Sequence, residues 1–538
     1  MSGLTAVQLE VVRHALGGVA EEMGVALRRA AYSPNIKERA DCSAAVFDAD
    51  GRMVAQAEHI PVHLGSMPAS VAAALAAFGG SLAPGEQVAV NDPYAGGTHL
   101  PDLTIVAAVG AEDGTPLGYV ANRAHHADVG GAAPGSMPAS ATELAMEGLR
   151  VPPLRLTDTP QREGTQGEVR DDLIGLLAAN SRTPAERRGD LRAQLAANHV
   201  GTVRLRDLAS RLGARSLATA MDAVRDYSDR RVRAAVRAIP DGTYAFSDAL
   251  EVVLPEQPER GTVDVTIRAT VTVDADEVAI DFAGTDPQVR ANANAVLAVT
   301  TSSAWFVFRM LTDPDAPPNE GCYRACTVTA PPGSVVNAVF PAPVAAGNVE
   351  TSQRIVDVLL GAFAQALPDR VPAASQGTMN NVLLGAAGGQ AFSYYETIAG
   401  GEGGTPDRPG MSGVHTGMTN TLNTPAEAME LAYPLRVWRA ELRQGSGGQG
   451  EHPGGEGLVR EIEVLEDAVL TLVTQRRVRG PWGLAGGGSG APGRNVRVGG
   501  DGAEQDLPGT GTWTLTAGER VRIETPGGGG WGPVAGGS

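Results

Sequence analysis

His99-Leu100-Pro101-Asp102 and His125-His126-Ala127-Asp128 gather three of the chain's nine histidines, with two aspartates, into one short stretch. Neutral imidazole and carboxylate are the usual ligands of Zn²⁺ and Mn²⁺. Two histidines with one or two aspartates leave a coordination position open for water, the pattern of a catalytic rather than a structural site. Between the clusters, Leu103 to Val109 and Leu117 to Ala121 read as apolar strands, and Asp113-Gly114 is a turn signal between them. A hairpin centred there pairs residues whose numbers sum to 227, which sets Asp102 opposite His125 and His99 opposite Asp128. Neighbouring strand residues point to opposite faces, so His125 and His126 do not both ligate; the register favours His125, with His126 the alternate.

The elements around the hairpin have to deliver these side chains. Val88 to Val90 reads as a short strand, and Asn91-Asp92-Pro93-Tyr94-Ala95-Gly96-Gly97 as a loop that carries the chain to His99, because Pro and paired Gly break regular structure. Asn91 and Asp92 read equally as supports of that loop or as plain turn residues. Asp41, ahead of the strand Ala44 to Asp48, has two readings: a turn residue, or a further metal ligand facing the hairpin. His59 and His63 are spaced i, i+4, but Pro61 between them rules out a continuous helix and with it a zincin-type pair, leaving a structural or substrate-contact role.

Thr5 and Gln8 form a capping box, and Leu9, Val12, Leu16, Val19 and Met23 follow at helical spacing, so residues 5 to 31 are expected to be an amphipathic helix with His14 facing solvent. Residues 171 to 239 carry helical periodicity with Arg-rich faces, Thr301 to Leu311 reads as a buried helix, and Val263 to Val273 alternates as a half-buried strand. Beyond Glu427 the chain is rich in Gly and short strands, with clusters at 445–450, 486–490 and 527–530 read as turns and a flexible terminus. The fold class is α+β: a mixed, multi-layer chain with long helices in the amino half and a glycine-rich β region at the carboxyl end. Four regions are expected: 1–170 with the metal hairpin, 171–240 helical, 241–433 mixed, and 434–538 glycine-rich.

Bulk properties narrow the function. A net charge of -18 over 538 residues argues against a sequence-independent grip on nucleic acid or anionic lipid. There is no apolar run of membrane-spanning length and no basic, apolar leader at Met1-Ser2-Gly3, so a cytoplasmic location is expected. Lys37 is the only lysine, which excludes a G-x-x-x-x-G-K-[ST] phosphate loop. Cys42, Cys322 and Cys326 are too few and scattered for a disulfide framework or a closed zinc site.

Several motifs together resemble the hydantoinase B/oxoprolinase family, nearly end to end: Asn91 to Asp102, Arg123-Ala124-His125-His126-Ala127-Asp128-Val129-Gly130-Gly131, Asn348-Val349-Glu350-Thr351-Ser352, Tyr395 to Gly401, Met418-Thr419-Asn420-Thr421 and Thr525 to Gly532. After Ser446-Gly447-Gly448-Gln449-Gly450 the chain departs from the family's Arg-Gly-Gly run and reads His452-Pro453-Gly454-Gly455. The resemblance implies a subunit that works with a hydantoinase A-type ATPase partner in a hetero-oligomer, ATP being used by the partner to phosphorylate the substrate. This chain would then open a cyclic amide such as a hydantoin or 5-oxoproline, with a divalent metal, Zn or Mn, on His99, Asp102 and His125, and with Asp41 or His126 as further candidates. Asp128 would hold a ligand imidazole or carry a proton, and Asp92 would support catalysis from the loop. A ketone carboxylase subunit and a non-catalytic scaffold for the ATPase are the rival expectations.

Overall fold

The computed structural model describes residues 5–57, 60–160, 165–386 and 391–534. His59 and the first four residues lie outside them. Helix α1 (Ala6–Ala30) opens on the expected capping box: the Gln8 amide donates to the Thr5 hydroxyl at 3.2 Å and the Thr5 amide to Gln8 Oε1 at 2.9 Å. Its stripe of Val12, Leu16, Val19 and Met23 is buried, while His14 on the opposite face is exposed. A single turn, α2 (Pro34–Lys37), then leads into β1 (Cys42–Phe47) and β2 (Met53–Ala57). Helix α3 (Ser66–Ala77) precedes β3 (Gln87–Val90), and the hairpin follows as β4 (Asp102–Gly110) and β5 (Pro116–His125), with a short β6 (Leu154–Arg155). These strands form one antiparallel sheet in the order β2-β1-β5-β4-β3-β6.

Three helices, α4 (Asp171–Ala179), α5 (Pro184–Leu212) and α6 (Ala214–Val236), account for the expected helical region, and α1 and α5 pack on one face of the first sheet. The other face looks into the largest core, shared with a second sheet of β7 (Gly242–Val253), β8 (Thr262–Asp274), β9 (Glu277–Asp281) and β10 (Cys326–Thr329). Strand β8 alternates buried Val265, Ile267, Ala269, Val271 and Val273 with more exposed positions, as its pattern demands. Helix α7 (Leu297–Leu311) and the entirely buried α8 (Ser352–Phe363) belong to that core, α8 packing on α7, β7 and β8.

The carboxyl region adds β11 (Asn381–Ala386), β12 (Ser393–Thr397), α9 (Ala426–Ala432), β13 (Leu435–Arg443), β14 (Gly457–Val464), β15 (Ala468–Val473), β16 (Arg494–Val498), β17 (Glu504–Leu507), β18 (Thr510–Leu515) and β19 (Arg520–Glu524). They form two further sheets, β12-β11-β15-β18 and β13-β14-β19-β16-β17, around a core that includes Leu384, Ile462, Leu470 and Ile523. The glycine clusters do more than turn the chain. Extended segments bond to one another through backbone alone: Gly528 N to Gly455 O (2.9 Å), Gly455 N to Glu402 O (2.8 Å), Gly448 N to Gly528 O (2.8 Å) and Gly530 N to Gly488 O (2.9 Å). A Cβ on Gly528 would lie 1.9 Å from Glu402 O, and one on Gly455 1.9 Å from Met411 O. Residues 525–530, expected as a flexible terminus, are therefore buried, because only chains without side chains approach this closely.

Candidate metal centre

The hairpin register is the expected one: Asp102 pairs with His125, Leu103 with Ala124 and Thr104 with Arg123, around a turn in which the Thr115 amide donates to Asp113 Oδ1 at 3.0 Å. On one face of the ladder, Val106, Ala108, Tyr119 and Ala121 are apolar and join the main core. At the end where β4 begins and β5 stops, the same face turns polar. There Asp102 and His125 meet His99, which comes back over them from the preceding turn, closed by Asp102 N to His99 O at 3.1 Å.

The three ligand atoms form a nearly equilateral triangle. His99 Nε2 and His125 Nδ1 each lie 3.2 Å from Asp102 Oδ1, and 3.2 Å from one another. A tetrahedral ion with bonds of about 2.1 Å separates its ligand atoms by about 3.4 Å, and an octahedral one by about 3.0 Å, so the triangle fits one face of either polyhedron. All three residues are at most 3% exposed, and His99 Nδ1 and His125 Nε2 have no hydrogen-bond partner. Their charge states also suit a cation. Burial lowers the His99 pKa and keeps the imidazole neutral, against the pull of Asp102. Burial opposes ionisation of Asp102, but His99, the hydrogen bond with His125 and the nearby His63 outweigh it and hold the carboxyl well below its usual range.

A second ring of side chains fixes the carboxylate. Asp102 Oδ2 accepts from Thr98 Oγ1 at 2.6 Å and Asn348 Nδ2 at 3.4 Å, and lies 3.6 Å from His63 Nε2, whose Nδ1 is 2.9 Å from Ser43 Oγ. The Tyr395 ring stacks on His125 with centroids 4.8 Å apart. Asn91 braces the delivering loop, donating to Leu100 O (2.7 Å) and Leu149 O (3.0 Å) while its Oδ1 accepts from Val151 N (2.6 Å). A narrow cavity of about 20 Å³ opens beside the triad, lined among others by Asp41, His63, Asp102, His125, Tyr395, Thr397, Thr419 and Thr421.

A match to the hydantoinase B/oxoprolinase family extends over residues 5–534. The chain belongs to that family. It is 37% identical over 545 residues to 5-oxoprolinase 1 of Arabidopsis thaliana, covering 98% of this chain and 42% of that protein. It thus spans about two fifths of the length of that relative. A protein named as a putative D-/L-hydantoinase subunit, from a Pseudomonas species, is 30% identical over 90% of this chain and 82% of its own length. The crystal structure of the ATP-dependent caprolactamase from Pseudomonas jessenii superposes with a TM-score of 0.89 at 29% identity, covering 98% of this chain and 91% of that one.

This member of the hydantoinase B/oxoprolinase family places the sequence candidates differently. His99, Asp102 and His125 come together, and among the described residues they are the only such cluster. Asp41 sits next to them, its carbonyl accepting from His125 N at 3.1 Å and its carboxylate lining the cavity, outside the triangle. His126 points to the other face of the sheet, Nε2 2.9 Å from Gln194 Oε1 on α5; burial, with Arg187 nearby, lowers its pKa to about 4. Asp128 does not pair with His99, because β5 ends at His125 and the Asp128 carboxylate is held by Gly130 N, Gly135 N and Arg182, at 2.9 to 3.1 Å. Asp92 caps the turn Pro93–Ala95 by accepting from Tyr94 N at 3.0 Å. Thr98, Asn348 and Tyr395 had no signal as site residues beyond lying in the family motifs, and the i, i+4 spacing of His63 pointed to a helix that Pro61 excludes.

Proposed function

We propose that this chain is the metal-dependent hydrolase subunit of an ATP-dependent cyclic amidase, acting on a hydantoin, 5-oxoproline or related lactam phosphorylated by a hydantoinase A-type ATPase partner. The observation that carries the reading is the buried 3.2 Å triangle of His99, Asp102 and His125, in which burial favours neutral His99 and the surroundings favour ionised Asp102, as metal ligands require. A divalent ion held there would supply Lewis acidity and make water a nucleophile near neutral pH. The residues of this chain then divide the work. Thr98 and Asn348 hold Asp102 in one orientation, and the stacked Tyr395 ring fixes the plane of His125. The burial of all three triad residues keeps bulk water from the reacting group. In the net reaction two water molecules are consumed: one adds to the activated ring carbon as the ring carbon–nitrogen bond breaks and the nitrogen takes up the proton, and the second hydrolyses the resulting acyl phosphate to carboxylate and free phosphate.

The caprolactamase is itself described as ATP-dependent, and the hydantoinase relative as a subunit, which supports a partner that handles ATP. The only lysine, Lys37, offers no Walker-type loop for doing so in this chain. The test is reconstitution with the ATPase partner, ATP and each lactam in turn. Amino-acid release that needs both chains, is lost on chelation and is lost in His99→Ala is the expected result; full turnover by His99→Ala would leave only a scaffold role.

A further inference from the structure

Eight arginines are buried among the described residues, and six of them, Arg187, Arg225, Arg354, Arg460, Arg476 and Arg522, have a carboxylate oxygen within 4.0 Å. Arg39 and Arg123 have none, although they are 1% and 0% exposed. Both adjoin the metal centre. Arg123 stands two residues before His125 on the same strand face, and its donors end on neutral groups: Thr104 Oγ1 (2.8 Å), Ser70 Oγ (2.7 Å), and the hydroxyl and carbonyl of Ser66. Arg39 donates to Asn35 Oδ1 (2.5 Å), Tyr395 O (2.8 Å) and Thr397 Oγ1 (2.8 Å), and reaches Thr421 Oγ1 at 3.5 Å; its Nε has no partner. A buried guanidinium with no carboxylate at ion-pair distance is poorly compensated. Arg39 reaches the wall of the cavity through Tyr395, Thr397 and Thr421, three of its lining residues, so its charge is well placed for a ligand of opposite sign.

The hydroxyl hydrogens show where it sits. Arg39 only donates, so Thr397 and Thr421 accept from it. Their oxygens are 2.7 Å apart, so one hydroxyl donates to the other, and the hydrogen of the second is left for Thr419, 3.5 Å away, or for the cavity. All three threonines line the cavity together with Asp102 and His125. We propose that Thr397, Thr419 and Thr421, polarised by Arg39, form a seat for one anionic oxygen of a phosphate monoester in the cavity that Asp102 and His125 also line. The cavity, about 20 Å³, holds one oxygen-sized group, so a single oxygen is bound there. Of the charges at its wall, Arg39 offsets one of Asp41 and Asp102, and a divalent ion leaves a net charge of about +1 facing the ligand. The seat therefore rests on the proposed metal-dependent reading, and it names what the site recognises: the phosphoryl group of the activated substrate.

Calorimetric titration of the full chain, loaded with Zn²⁺ or Mn²⁺, with methyl phosphate, inorganic phosphate and acetate tests this. Methyl phosphate and phosphate are expected to bind and acetate to bind more weakly. Thr421→Val and Thr397→Val, which keep side-chain shape, are expected to weaken both phosphates about tenfold or more at unchanged metal content. Arg39→Lys is expected to shrink the preference for phosphate over acetate, an effect that a merely structural arginine would not produce. Phosphate affinity unchanged in both threonine variants overturns the seat while leaving the metal reading intact. Absence of metal from the purified and supplemented wild type overturns the metal reading; the same titrations on the metal-free chain then decide the seat, an equal response of wild type and Thr421→Val sinking it.

Discussion

Asp102→Asn isolates the contribution of the single carboxylate in the triangle. Structural Zn²⁺ sites bind with about 10–16 kcal/mol over four ligands, or about 3 kcal/mol for each. Losing the anionic ligand should therefore weaken the ion about a hundredfold or more. The surroundings add to the loss. Asp102 Oδ2 accepts from Thr98 and Asn348, so an amide NH₂ in its place sets donors against donors, whereas the flipped amide turns its NH₂ toward the metal. In a chelator competition with a chromophoric indicator, the variant should release Zn²⁺ at about a hundredth of the chelator strength that wild type needs. The same change appears in metal-dependent stabilisation: with free ion a thousandfold above the wild-type Kd, binding adds about 4 kcal/mol, and a hundredfold weaker site keeps about 1.4 kcal/mol. His126→Ala is the control on the opposite face, and it should lose the Gln194 bond but hold metal as wild type does. An Asp102→Asn affinity within threefold of wild type would refute the triangle as a metal site.

Burial raises the Glu350 carboxyl to about 8 from its ordinary 4.5. Across that window the unfolded chain releases a proton that the folded chain keeps, so stability falls as pH rises, by at most about 1.4 kcal/mol per unit from this group. Glu350→Gln retains an oxygen for Met379 N and Asn381 Nδ2 and should flatten the fall, seen as a smaller drop in urea midpoint between pH 5 and pH 8; parallel curves for variant and wild type would count against it. In the glycine layer, Gly528→Ala sets a Cβ 1.9 Å from Glu402 O and should leave little folded protein by circular dichroism, whereas Gly500→Ala, with nothing within 4 Å, should be near neutral. Equal thermal stability of the two alanine variants would mean that the backbone layer yields easily.

What the sequence discloses and what it conceals divide along the range of the interactions involved. The β4–β5 hairpin is local: a turn signal and two apolar strands set its register, and the register brings Asp102 to His125 without any other part of the fold. His126 is legible for the same reason, since strand alternation alone sends it to the other face. Asp128 shows where the argument fails. Extrapolating the ladder past its end ignores that backbone amides of the following loop, with Arg182, capture the carboxylate more effectively than a distant imidazole would. Thr98 is four residues from Asp102, but Asn348 is 246 residues away, in the buried helical turn that precedes α8, and nothing near it in the chain marks it as a partner.

The arginines make the same point more sharply, and they also bear on function. By composition alone, Arg39 and Arg123 are two among many in an arginine-rich chain, and by burial alone they are two among eight. Only the lack, among the described residues, of a carboxylate within 4.0 Å of these two, where the other six each have one, separates them from cations that serve the fold. A cation that serves stability is best paired within the chain. One left unpaired at a cavity wall keeps its field for a ligand, and in a site that excludes water that field is strong. On the proposed reading, Arg39 behind the threonines would favour an anion in that cavity. An amide carries no charge before phosphorylation and carries negative charge after it, so such a seat would discriminate a phosphorylated substrate from free lactam.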